Sequence, residues 1–83
     1  MLACNVTGSV VATRKNAKLT GCKLLIVEPV HQGLPFVAVD NIGAGVGEIV
    51  LVAQGSAARM AMGEGIPVDA AIVGIIDEGT YKA

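Results

Sequence analysis

The chain has 83 residues, 53% of them hydrophobic and 16% charged, and its net charge is −1 at pH 7. A chain this short forms one domain, residues 1–83, whose small interior leaves surplus apolar surface to be buried against other copies of itself. The near-neutral charge gives no electrostatic footprint for nucleic acid or an anionic membrane, and the apolar run at residues 70–76 is far shorter than the roughly 20 residues of a membrane-spanning helix.

Five segments carry the signals of β-strands. The first, residues 2–12, alternates apolar and polar side chains with the period of a half-buried strand. Its apolar members are Leu2, Cys4, Val6, Val10 and Ala12. Residues 23–27, 36–40, 48–53 and 71–77 predict four further strands, which glycine and proline turn signals separate.

One short helix is predicted between the fourth and fifth strands, at residues 56–62. We expect Ser56 to be its N-cap and Gly63 to end it. The element order is therefore β-β-β-β-α-β. It predicts a mainly β fold, a small five-stranded OB-like β-barrel with one short α-helix between strands 4 and 5, because closure hides strand edges in so short a chain.

The predicted strands two, four and five are apolar on both faces. In strand two, Leu24 and Ile26 lie on one face while Leu25 and Val27 lie on the other. One face is expected to fill the barrel, and the other needs a cover from outside. Because a single helix is available, we expect a neighbouring subunit to provide that cover.

The motifs of the chain do not predict catalysis, a cofactor or a metal site. Residues 43–47 (GAGVG) lack the GxGxxG spacing and precede a strand, which favours a tight turn over a nucleotide loop. Ser56 lacks the second glycine of a nucleophile elbow, and the single histidine, His31, lies in a turn. Cys4 and Cys22 have neither metal-site spacing nor a disulfide framework, which favours small buried side chains and a cytoplasmic location.

Arg59 and Asp69 are charged residues within apolar sequence, so each needs a partner. One interpretation is a charge-assisted bond across a subunit boundary. The other is a solvated arginine and a turn-forming aspartate. Lys15, Lys18 and Lys23 are interpreted as a solvated loop face.

Two other classes of function stay open on these grounds. An oligomeric OB-like module that binds a small ligand or nucleic acid fits the element order. One Phe, one Tyr and no Trp provide little surface for stacking bases, however. A small hydrolase using Ser56 or Cys22 lacks a general base.

Several short motifs follow one another along residues 2–78. They are DNIGAG (40–45), GE (47–48), GSAAR (55–59), PVDAA (67–71) and GIID (74–77), preceded by LTGCKLL (19–25). Together they resemble the EutN/CcmL family of bacterial microcompartment shell proteins, and they are more similar to its ethanolamine-type members than to its carboxysomal members. The short segment at 79–83 departs from members that continue into a longer extension.

The resemblance implies a pentameric vertex protein without catalytic activity, located in the cytoplasm within a microcompartment shell. Its partners would be itself, as a homopentamer, and the hexameric proteins that tile the shell. The residues expected at the subunit interface or a pore are Asp40, Gly43, Ala44, Gly45, Ser56, Arg59 and Asp69. The residues expected to contact hexamers at the rim are Arg14, Lys15, Lys18, His31 and Gln32.

Overall fold

A computed structural model describes residues 1–63 and 65–77, and in these residues five strands close into a barrel. The strands are β1 (Leu2–Val10), β2 (Lys23–Pro29), β3 (Phe36–Asp40), β4 (Ile49–Gln54) and β5 (Ala70–Ile75). A 3-10 helix at Ala17–Leu19 lies between β1 and β2, and helix α1 (Ser56–Met62) connects β4 to β5. The segment 79–83, where the sequence departs from longer family members, lies outside the described residues.

The strand order around the barrel is β1-β2-β3-β5-β4. Neighbouring strands are antiparallel except β3 and β5, which run parallel. The predicted fold class, a mainly β, five-stranded barrel with one short helix between strands 4 and 5, is therefore confirmed. The strand ends differ by one or two residues: β2 continues to Pro29, where a missing N–H is tolerated at a strand end, and β5 stops at Ile75.

Alternate positions along the strands fill the barrel. In β2, Leu25 and Val27 are buried, whereas Leu24 and Ile26 on the other face are half-buried. The prediction that one strand face fills the interior is therefore confirmed. The buried members of the barrel core are Cys4, Val6, Leu25, Val27, Ala38, Ala44, Val50, Val52, Ala70 and Ile72.

A second apolar cluster lies between α1 and the outer face of the barrel. Its buried members are Val39, Ala58, Val68 and Ala71, and Leu19, Cys22, Leu24, Met62 and Ile66 pack against them. The helix packs against β5 and β4, and its Ala58 shares the cluster with Val39 of β3. The outer row Ala3–Leu51–Gly74, which crosses β1, β4 and β5, belongs to neither cluster and is only half-buried.

A β-bulge in β1 changes which of its side chains face the core. The register of β1 against β2 shifts between Val6 and Gly8. Val6 lies opposite Val27 of the barrel core, whereas Val10 lies opposite Leu24 of the outer cluster. The prediction that Val6 and Val10 share one face is therefore wrong, because one extra residue reverses the alternation.

Helix α1 spans the predicted residues, but Ser56 is not its N-cap. The cap is Gly55, with φ of 62° and ψ of −135°, and no side chain caps the helix. The Gly55 N–H donates to the carbonyl oxygen of Asp69 at 2.8 Å, so the backbone itself fixes the entry into the helix. Gly63 ends the helix as predicted, with φ of 109° and an N–H that donates to the Arg59 carbonyl at 2.9 Å.

Candidate functional site

The carboxylate of Asp40 organises the loop that follows β3. Asp40 is the one buried charged residue in the described part of the chain, with 2% of its surface exposed. Its two oxygens accept hydrogen bonds from the N–H groups of Ile42 at 3.1 Å and Ala44 at 2.9 Å. Hydrogen bonds to the charged form offset the cost of burying a carboxylate. Asp40 therefore fixes the loop from inside the barrel.

Lys23 supplies the counter-charge. It lies directly opposite Asp40 in the β2–β3 pair, its Nζ is 3.8 Å from the carboxylate, and it also donates to the carbonyl oxygen of Ala44. Half of its side chain is exposed, so solvent screens the ion pair. Lys23 lies on β2, as the strand prediction placed it, and its side chain is half exposed, but its interpretation as part of a solvated loop face missed the pairing with Asp40. Antiparallel pairing of the predicted strands two and three would place Lys23, at the start of one, near Asp40, at the end of the other.

The second half of the loop is a tight turn over residues 45–48. The Glu48 N–H donates to the Gly45 carbonyl at 3.2 Å, and Glu48 Oε1 accepts from the Gly45 N–H at 2.6 Å. Gly47, the third residue of the turn, has φ of 94°, as a type II turn requires. Its N–H donates to the Val6 carbonyl at 2.9 Å, which ties the turn to β1. The predicted tight turn is confirmed.

The loop closes one end of the barrel with Ala44 and presents apolar side chains on its outside. Ala44 is fully buried in the barrel core. Ile42 and Val46 are 46% and 66% exposed. Asp40 and Ala44 make their contacts inside the chain, so any part they take in a subunit contact is indirect, through the loop that they hold.

The other residues predicted at a subunit interface lie at or near the surface of the chain; they are Gly43, Gly45, Ser56, Arg59 and Asp69. Arg59 and Asp69 are both exposed. Among the described residues, no hydrogen bond or ion pair joins their side chains. The charged group of Arg59 is therefore available to a partner outside the chain.

A surface groove of about 470 Å³ lies beside α1. Ser56, Arg59, Met60 and Gly65 line it. Met60 is 83% exposed, which leaves a large apolar side chain in solvent on the outer face of the helix. Sequence reasoning selected Ser56 and Arg59 on this helix but missed Met60, because the apolar residues of a short helix do not reveal which of them faces outward.

The residues predicted at the rim are all exposed; they are Arg14, Lys15, Lys18, His31 and Gln32. They fall on two connections, one before β2 and one after it. The two groups are therefore separated by the length of a seven-residue strand, about 20 Å. Lys15 Nζ donates to the Ala12 carbonyl at 2.8 Å, a local bond within the first connection.

The structure contains two free thiols. Cys4 is buried in the barrel core, and burial raises the pKa of its thiol. Cys22 is half-buried beside the outer cluster, so it is less enclosed than predicted.

Across residues 1–63 and 65–77, no group of three or more His, Cys, Asp and Glu side chains is placed to hold a metal ion. Nor does any helix in this part of the chain have the length and apolarity to cross a membrane.

This geometry defines a class of protein: a small closed barrel with rigid surface loops and outer faces suited to contacts between chains. A family model described as ethanolamine utilisation protein EutN/carboxysome matches residues 1–77. The carboxysome shell vertex protein CcmL of Synechocystis is 51% identical over 93% of this chain and 83% of its own length. The microcompartment shell vertex protein EutN of Escherichia coli K12 is 49% identical over 88% and 83%.

Solved structures agree with these relatives. The pentameric microcompartment shell protein GrpN from Rhodospirillum rubrum superposes with a TM-score of 0.85 at 45% identity, over 93% of this chain and 94% of that chain. The pentameric shell protein MSM0273 from the RMM microcompartment superposes with a TM-score of 0.87 at 40% identity, over 100% and 98%. This chain belongs to the EutN/CcmL family. Identities to the ethanolamine-type and carboxysomal relatives are alike, so the closer resemblance to the ethanolamine type stays a prediction.

Proposed function

We propose that five copies of this chain close into a ring that caps the fivefold vertices of a bacterial microcompartment shell, with a structural and non-catalytic role. The observation that carries the proposal is the match to pentameric shell proteins over nearly the whole length of both chains. Relatives at about half identity are named shell vertex proteins. These matches do not favour the alternative of a module that binds a small ligand or nucleic acid.

The surface of the barrel supports a ring. The outer row Ala3–Leu51–Gly74 is apolar and only half-buried in the single chain. Burying such a row against a neighbour contributes about 25 cal/mol per Å² of apolar surface. When one patch of each copy binds a different patch of the next copy, the copies form a closed ring if their successive rotations add up to a full turn. A ring of five copies has the symmetry of a shell corner.

Within the ring, each group of predicted residues has its own role. Gly43 and Gly45 pack near the fivefold axis, where small residues permit close approach of subunits and line a narrow pore. Ser56, Arg59 and Asp69 lie at the subunit boundary. Asp40 and Ala44 act from inside, by holding the loop.

The rim of the ring contacts the hexameric shell proteins. The exposed polar connections on either side of β2 form this surface, and their residues are Arg14, Lys15, Lys18, His31 and Gln32. Exposed charged side chains suit an edge contact, because rim charges steer association and set its orientation.

The vertex role is tested by removing this chain from a recombinant shell and examining the particles by electron microscopy. We expect open or elongated particles with the turnover of enclosed enzymes intact in the lysate, and restoration of closed polyhedra when the wild-type chain is returned. Closed, regular polyhedra without the chain would contradict the proposal. So would a hydrolytic or nucleic-acid-binding activity that disappears with the chain.

A further inference from the structure

Two cations from separate elements meet at the groove beside α1. Arg59 lies on α1 and lines the groove. Lys18 belongs to the 3-10 helix Ala17–Leu19, but its Nζ lies beside Gly65 on the groove wall, 3.5 Å from the position that a Cβ on that glycine would take. The groove therefore carries two positive charges from parts of the chain that are distant in sequence.

Neither cation has a counter-charge. In residues 1–63 and 65–77, no hydrogen bond or ion pair involves the guanidinium of Arg59 or the Nζ of Lys18. No carboxylate of these residues lines the groove. A cleft that carries charge of one sign concentrates counter-ions, so this groove attracts an anion.

The fold holds Lys18 beside the groove. Its N–H donates to Asn16 Oδ1 at 2.9 Å, and the next residue, Leu19, packs against the outer cluster. Met62 at the end of α1 and Ile66 pack against the same cluster, so the 3-10 helix and α1 share one support. The backbone positions of both cations are therefore fixed before a ligand arrives, which lowers the entropic cost of binding.

The other groups in the groove indicate the class of ligand. Ser56 has a hydroxyl that does not cap the helix, and Met60 has an exposed apolar side chain. The volume of about 470 Å³ lies in the range of small-molecule sites. A phosphate group carries nearly two negative charges at pH 7, which match the two cations, and it pairs with arginine through two hydrogen bonds.

We propose that this groove binds a small phosphomonoester, with the phosphate between Arg59 and Lys18 and the apolar part against Met60. This site goes beyond the proposed vertex role, and a single chain supplies all of its groups. Ser56 and Arg59 are also proposed at the subunit boundary and Lys18 at the rim, so the ligand would lie beside both contact surfaces.

Saturation-transfer NMR with phenyl phosphate tests the site, because the ring protons of this probe report contact with the protein. We expect saturable binding to the wild-type chain, with displacement by inorganic phosphate but not by chloride at equal ionic strength. The double variant Lys18→Gln/Arg59→Gln should bind the probe at least roughly tenfold more weakly, because the charge-assisted hydrogen bonds of both cations are lost. Both side chains are exposed, so the fold should be unaffected, which circular dichroism checks.

The matched control is Arg14→Gln/Lys15→Gln, which removes the same net charge at exposed positions that do not line the groove. It should bind phenyl phosphate like the wild type. Equal losses in the two double variants would overturn the site, because general charge attraction would then explain the binding. Absence of saturable binding to the wild type, or equal displacement by chloride and phosphate, would overturn it as well.

Lys18→Gln alone separates the site from the ring, because Lys18 lies outside the proposed subunit boundary. This variant should keep the sedimentation profile of the wild type and bind the probe several-fold more weakly. Unchanged binding by Lys18→Gln would overturn the site and leave the vertex role intact. Absence of a wild-type ring in the same sedimentation measurement would overturn the vertex role and leave the site intact.

Discussion

At the scale of single residues, Asp40 connects the barrel interior to the surface loop. Its carboxylate is buried beside the core, while the N–H groups that it binds belong to the exposed segment after β3. The sequence motif selected Asp40 as an interface residue. Alternation along β3 places its side chain on the same face as buried Ala38, but its partner Lys23 follows only from the register of β3 against β2. Register is a property of paired strands, so a single strand sequence does not reveal it.

Replacing Asp40 with Ala should lower the free energy of unfolding by about 3 kcal/mol, because two hydrogen bonds to a charged group are lost. Urea unfolding followed by circular dichroism measures the change. Glu28→Ala is the control, since Glu28 is an exposed carboxylate on β2; a change within about 0.5 kcal/mol is expected there. Equal effects of the two replacements would contradict the role of Asp40.

Replacing Arg59 with Ala should weaken subunit association by about 2–5 kcal/mol if its guanidinium pairs with a buried group of the neighbour. Gel filtration at falling protein concentration measures this loss. Arg14→Ala, at an exposed rim position, should dissociate like the wild type. Persistence of the Arg59→Ala ring down to the lowest concentration at which wild type persists would remove Arg59 from the interface.

At the scale of elements, apolar patterning and turn signals predicted every strand, and helix formers with end signals predicted the helix, each to within a few residues. Alternation identified β1, whereas continuous apolar runs between turn signals identified β2, β4 and β5; in β2 only the structure distinguishes buried Leu25 and Val27 from half-buried Leu24 and Ile26. Two local features escaped these signals. The bulge in β1 is an unpaired residue that leaves no composition signal, and the entry of α1 through Gly55 replaces the side-chain cap that Ser56 would provide.

Because Gly55 and not Ser56 caps the helix, replacements at these two positions should differ in their effect on stability. Ser56→Ala should change the free energy of unfolding of the dissociated single chain by less than about 0.5 kcal/mol, because its hydroxyl does not cap the helix. Gly55→Ala should cost about 1–3 kcal/mol, because φ of 62° with ψ of −135° suits glycine alone. An added Cβ meets no atom within 4 Å, so the cost is backbone strain and not a clash. Thermal unfolding distinguishes the pair, and a larger loss for Ser56→Ala would restore the predicted cap.

At the scale of the whole molecule, the surplus of apolar residues predicted association, and the closed barrel explains where the surplus lies. Strand faces such as the row Ala3–Leu51–Gly74 are too numerous for one short helix to cover. Composition could not identify the part of the barrel that α1 covers. The position of α1 depends on Leu19 and Cys22, which are distant from the helix in the chain but pack in the same outer cluster.

The ring itself is the central claim, and native mass spectrometry of the purified wild-type chain measures it most directly. The expected result is a species with the mass of five chains that persists on dilution, while the denatured sample gives the mass of one. A monomer at every concentration, or a ring with another number of subunits, would contradict the vertex function, because only fivefold symmetry matches a shell corner.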